Sequence, residues 1–144
     1  MGRKNSPSAN KELNELIAQY ETARAENRQL YLDGDQLADI ADQYAAGRKF
    51  NEAQEVITYG LHLHPDSTDL LVEQAYLYLD TGKIPLAKKV VESITDEYDT
   101  DVKMLKAELM LNEGQLENAR NVLDTIEDAD ELETIINIVY LYMD

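Results

Sequence analysis

The chain has 144 residues and carries 29 acidic against 13 basic side chains, a formal net charge of −16. A field of that sign repels nucleic acid and anionic lipid, and it favours basic or neutral protein partners. There is no cysteine, so disulfides and thiolate metal sites are excluded, and no apolar run reaches the roughly 18 residues that a membrane span needs.

The absence of cysteine fits a reducing, cytoplasmic setting, and this length suffices for a continuous core. Residues 1–8 are polar, with Pro7 and two serines, and disorder is expected there. Met1-Gly2-Arg3-Lys4-Asn5-Ser6 matches the N-myristoylation pattern formally, but a pattern so short recurs by accident. From Asn10 onward Leu13, Leu16, Ile17, Tyr20, Ala23, Leu30 and Tyr31 recur mostly at three- and four-residue steps. That spacing predicts an N-terminal amphipathic helix within residues 9–32, broken by Asp33-Gly34.

Beyond it the sequence repeats. Leu37–Tyr44, Leu71–Tyr78 and Lys103–Met110 align without gaps, each followed by a glycine (Gly47, Gly82, Gly114) and then an alanine (Ala53, Ala87, Ala119). The alanines are 34 and then 32 residues apart. A period of that size marks stacked supersecondary units, whose function is a surface rather than a catalytic pocket. The units fall at 33–66, 67–98 and 99–130, with a truncated fourth at 131–144. Each reads as two helices: 35–46 and 50–63, 67–80 and 84–97, 101–112 and 116–127. Short loops make such neighbours antiparallel.

Pro65 closes the first pair, and Pro85 falls in an opening turn, where a missing N–H costs little. The three glycines are expected to take the left-handed turn between paired helices. The three alanines, one turn into the second helix, let the pair approach closely. Tyr44, Tyr78, Met110, Phe50, Ile84, Leu116, Ile57, Val91 and Leu123 are assigned to the core. No segment sustains a period of two, so no sheet is expected.

This pattern resembles the tetratricopeptide repeat. Leu37, Ala41, Tyr44, Phe50, Ala53, Ile57, Gly60 and Pro65 match it in the first unit; Leu71, Ala75, Tyr78, Gly82, Ile84 and Ala87 in the second; and Ala107, Gly114, Leu116, Ala119 and Leu123 in the third. Gln74 and Lys106 depart from it at a usually apolar place, and Lys103 replaces a large apolar residue. The Tyr-Leu-Asp-Gly-Asp opening and acidic texture are similar to tetratricopeptide proteins of Bacteroides-type bacteria. The resemblance implies an all-α, antiparallel helix-pair solenoid, a superhelix preceded by the N-terminal helix.

The catalytic inventory is thin. Ser6, Ser8, Ser67 and Ser93 lack a triad setting. His62 and His64, two residues apart, face different ways without a third ligand, and are expected to serve the helix end. The acidic stretches 96–101 and 127–131 lack the alternating ligands and central glycine of a calcium loop. The expectation is a non-enzyme without metal or cofactor.

In a solenoid of this kind the first helix of each pair lines the concave face. The helical period puts Asp35, Ala38, Asp42 and Ala45 there, then Asp69, Val72, Tyr76 and Leu79, then Asp101, Met104, Glu108 and Leu111. Family members that clamp a terminal carboxylate use lysine, arginine and asparagine on this face, and none stands at these places. The surface reads as acidic with an apolar floor, unless the N-terminal helix fills it. The expected partner-binding residues are Asp42, Asp69, Val72, Tyr76, Leu79, Asp101, Met104, Glu108 and Leu111, and the expected partner is a basic or amphipathic peptide or helix held on a curved surface.

The alternative is structural self-association as a homodimer. Leu141–Asp144 mirrors Leu77–Asp80, so the chain reads as stopping after a fourth first helix, a fragment of a longer repeat protein. Ile136, Tyr140 and Met143 lie on that nearly all-apolar helix and are the expected self-association contacts.

Overall fold

The computed structural model describes residues 7–126. The fourth unit, Ile136, Tyr140 and Met143 lie outside them. Among the described residues there are seven α-helices and no strand: α1 (Pro7–Ala25), α2 (Gly34–Ala46), α3 (Phe50–Leu63), α4 (Thr68–Asp80), α5 (Ile84–Ser93), α6 (Thr100–Asn112) and α7 (Leu116–Leu123). The all-α class expected from the repeat is therefore observed. Pro7 and Ser8, expected to be disordered, open α1 instead. The chain packs as two compact units divided after Glu73, inside α4.

In the first unit α2 and α3 form a tight hairpin. Leu37, Ala38, Ile40, Ala41, Ala53, Val56, Ile57 and Leu70 are essentially inaccessible to water. The junction is closest at Gly60. A methyl group placed there would lie 2.8 Å from Leu70 Cδ1 and 3.4 Å from Leu37 Cδ1, so α2, α3 and the start of α4 converge on a bare backbone. The start of α2 is fixed by the Asp33 N–H, which donates to Gln36 Oε1 at 2.9 Å, and that of α4 by the Leu70 N–H, which donates to Ser67 Oγ at 3.3 Å.

Helix α1 packs on α2 and buries Tyr20 and Ala23. The segment that follows it is strapped to the end of α3. Tyr59 O–H donates to the Leu30 carbonyl at 2.8 Å, and His64 Nε2 lies 2.9 Å from the Leu32 carbonyl. A carbonyl only accepts, so Nε2 carries the proton. His64 is thus a strut, with the Tyr31 ring edge-on at 5.5 Å, and not merely a neighbour of the helix dipole.

In the second unit α6 packs against both α5 and α7. Ala107, Ala119 and Leu123 form a buried cluster covered by Met104, Met110, Leu111, Val122 and Ile126. Lys103, which breaks the apolar repeat pattern, donates from Nζ to the Thr125 carbonyl just past α7 at 2.9 Å. A cation there satisfies an acceptor that the helix end leaves exposed.

Helix ends account for most departures from expectation. Helices α1, α2, α4 and α6 all close with the same hydrogen-bonded reversal. The N–H groups of Arg28, Lys49, Lys83 and Gln115 reach back five residues to the carbonyls of Ala23, Tyr44, Tyr78 and Met110, at 2.7–2.8 Å. The left-handed residue in these turns is Asn27 (φ 54°), Arg48 (φ 61°), Gly82 (φ 77°) and Gly114 (φ 76°). Gly47 does not take that role, because its φ is −85°. The reversal falls one residue later, on Arg48, whose guanidinium lies over Phe50 at 5.4 Å. The turn at Asn27 ends α1 at Ala25, six residues before the expected Tyr31.

Helices α5 and α7 stop four residues short of the expected 97 and 127. In α5 Ser93 Oγ donates to the Val90 carbonyl, and after α7 Thr125 Oγ1 donates to the Val122 carbonyl, both at 2.6 Å. A hydroxyl turned onto the backbone in this way competes with continuation of the helix. Ile94, next in the chain, is then extended and buried. Leu116, assigned to the core, is 60% exposed because it is the first residue of α7, at the end of its apolar stripe. Phe50, Tyr78, Ile84 and Met110 are only half-buried.

The turn geometry predicts a contrast. Gly82→Ala should cost about 1 kcal/mol from backbone strain alone, since no atom lies within 4 Å of the added methyl. At Arg48 the order reverses: Arg48→Gly should be more stable than Arg48→Ala by about 1 kcal/mol. Urea unfolding midpoints measure both differences, and equal stability of the two Arg48 variants would refute a left-handed residue there.

Candidate interaction surfaces

Of the nine residues expected to bind a partner, Asp42, Asp69 and Val72 fall in the first unit, and the other six in the second. Asp101 is exposed; Asp42, Asp69, Tyr76, Leu79 and Glu108 are half-buried. Asp42, Tyr76, Asp101 and Glu108 engage in interactions within the chain. Three assignments are corrected. Val72 is buried and presents no open surface, as is Ala38 at the equivalent place in α2. Met104 and Leu111 cover the Ala107–Ala119–Leu123 cluster, because the α6 stripe that carries them turns toward α7. What remains accessible is mainly acidic, with Tyr76 and Leu79 as the apolar part.

A second feature was not evident in the sequence. In the first unit, Tyr20, Glu21 and Arg24 of α1, Tyr44 of α2, and Glu52 and Glu55 of α3 line an open cavity of about 300 Å³. Tyr44 O–H donates to Glu21 Oε2 at 2.6 Å, and Arg24 Nη2 lies 3.4 Å from Glu55 Oε2. Tyr20 is 5% exposed, its ring is tilted against Tyr59 at 6.4 Å, and its hydroxyl is buried with no hydrogen-bond partner. The only hint in the sequence was a pair of tyrosines, Tyr20 and Tyr44, with polar tips at places read as apolar.

Burial pushes the Tyr20 phenol above its usual range, with Glu55, Tyr59 and Glu21 adding to the effect and Arg24 opposing it. The Tyr44 phenol is pushed far up, first by burial, then by its hydrogen bond to Glu21 and the negative charge around it. Among the described residues no group of three or more acidic or imidazole side chains is placed to hold a metal ion, and no helix is long and apolar enough to cross a membrane.

Helix pairs joined by three-residue turns, with alanine at the contact, are the geometry of the repeat family noted from the sequence. A tetratricopeptide repeat family model matches residues 44–109. The matched segment runs from the end of α2 through α3, α4 and α5 into α6. No curated protein and no solved structure matches the chain. Tetratricopeptide repeats generally mediate protein–protein interaction, typically as scaffolds without enzymatic activity.

The raised phenols set a pH dependence. A phenol whose proton is held more tightly in the folded state contributes stability that is complete below its unfolded value, about pH 10. That contribution is lost as pH rises further. The first unit should lose stability above about pH 10, and Tyr44→Phe should flatten the loss while costing about 1 kcal/mol at neutral pH. Chemical unfolding followed from neutral to alkaline pH measures both, and a pH profile identical in Tyr44→Phe would contradict the assignment.

Proposed function

We propose that the chain is a non-enzymatic protein-interaction module that holds a basic or amphipathic peptide or helix against the acidic surfaces of α2, α4 and α6. The observation that carries this reading is the tetratricopeptide match over residues 44–109 in a chain of net charge −16. Asp42, Asp69, Asp101 and Glu108 steer and orient the partner. Tyr76 and Leu79 supply the desolvated contacts that usually dominate affinity.

The test is a comparison of length-matched synthetic helices, one basic and amphipathic, one acidic and amphipathic. The basic helix should bind and the acidic one should not. Raising salt should slow association, since exposed charge is screened over about 8 Å at physiological ionic strength. Tyr76→Ala should mainly speed dissociation. Binding of the acidic helix, or an affinity indifferent to both salt and Tyr76→Ala, would overturn the reading. Sedimentation of the chain alone separates it from the rival: homodimerisation without peptide binding is what a purely self-associating structural element would show.

A further inference from the structure

The cavity between α1, α2 and α3 has chemistry that the surfaces of α2, α4 and α6 do not share. Three carboxylates on its wall, Glu21, Glu52 and Glu55, face one guanidinium, that of Arg24. The excess is two negative charges. Arg24 is engaged with Glu55 at 3.4 Å. Glu21 accepts from Tyr44, but a carboxylate has about four acceptor positions, so Glu21 keeps most of its capacity. The Tyr20 hydroxyl, buried and unpartnered, adds an oxygen with both lone pairs unused. The charges that act most on its ionisation include those of Arg24, Glu55 and Glu21, all wall residues. The hydroxyl therefore sits among the groups that line the cavity.

An orphaned polar atom in a folded protein calls for a ligand or an ordered water. The surroundings here specify which kind of ligand. Every unused group is an acceptor, the field is negative, and aromatic rings form part of the wall. That combination suits a planar cation with several N–H donors. At about 300 Å³ the space is at the small end for ligand sites, on the scale of one side chain rather than a folded segment. The cavity already accommodates one guanidinium of its own chain.

We propose that this cavity is a receptor for a single arginine side chain of a partner protein, its guanidinium donating to Glu21, Glu52 and the Tyr20 hydroxyl oxygen. The site shares no residue with the acidic surfaces of α2, α4 and α6 named above, so it stands or falls independently of them. Its logic also differs. A surface steers a partner by long-range charge, whereas this cavity reads one side chain by its donor pattern.

The experiment titrates the full chain with acetylarginine amide and, separately, with the neutral isostere acetylcitrulline amide, following backbone amides by heteronuclear NMR. Acetylarginine amide should give weak but saturable shifts centred on residues 20–24, 44 and 52–55, and citrulline should give none. Tyr20→Phe removes only the hydroxyl and should weaken binding about fivefold. The double variant Glu21→Gln, Glu52→Gln should abolish it. Tyr76→Ala should leave the arginine response unchanged, which separates this site from the helix surfaces. Shifts of equal size with citrulline, shifts located elsewhere, or an affinity unchanged in Tyr20→Phe would each overturn the proposal. The citrulline comparison uses the unaltered chain, so the test does not depend on any variant folding.

Discussion

The first unit depends on one steric constraint: three helices meet at Gly60 more closely than a methyl group allows. Leu37 of α2 and Leu70 of α4 are both fully buried against that bare backbone. Neither has room to swing aside, because packed interiors have few voids. Glycine inside a helix ordinarily costs about 1 kcal/mol relative to alanine. Here that cost is offset by the apolar area that α2, α3 and α4 bury by coming together. Ala53, one turn from the start of α3 and also fully buried, extends the same close approach along the α2–α3 hairpin. Ala119 plays the corresponding part where α7 meets α6.

Once α2 and α3 are fixed, the rest of the first unit follows. The end of α3 presents Tyr59 and His64 to the carbonyls of Leu30 and Leu32. Those two bonds tie down the segment that leaves α1. The helix is thereby held with Tyr20, Glu21 and Arg24 facing Tyr44, Glu52 and Glu55. The cavity is a product of that docking, and its chemistry is set by which polar residues the docked faces share. A rigid frame with polar groups at fixed places suits recognition, since little ordering remains to be done when a partner arrives.

The helix pairs were legible in the sequence because their signals are local and periodic. The 34- and 32-residue spacing of Ala53, Ala87 and Ala119 set the units, and Gly82 and Gly114 set the turns. Where a turn was made by a residue other than glycine, the reading slipped. Asn27 and Arg48 adopt the left-handed conformation through the same backbone hydrogen bonds, and no propensity singles out arginine for it. The early ends of α5 and α7 had a signal that was passed over: Ser93 and Thr125 stand 32 residues apart, at the same place in their units. The surface residues were harder. Helical period alone puts Val72, Met104 and Leu111 on one stripe with Tyr76 and Glu108, but which edge of the stripe meets another helix is a tertiary fact. The cavity needed the docking of α1, which no local pattern encodes.

The measurement that bears most directly on this account is the sign of the stability change in Gly60→Ala, with and without Leu70→Ala. At an unhindered helical position the change to alanine stabilises by about 1 kcal/mol. If the helix junction is as tight as described, Gly60→Ala should instead destabilise by roughly 1–3 kcal/mol. In the Leu70→Ala background, where space has been made, the same change should become neutral or stabilising. A urea midpoint that rises for Gly60→Ala in the otherwise unaltered chain would contradict the account.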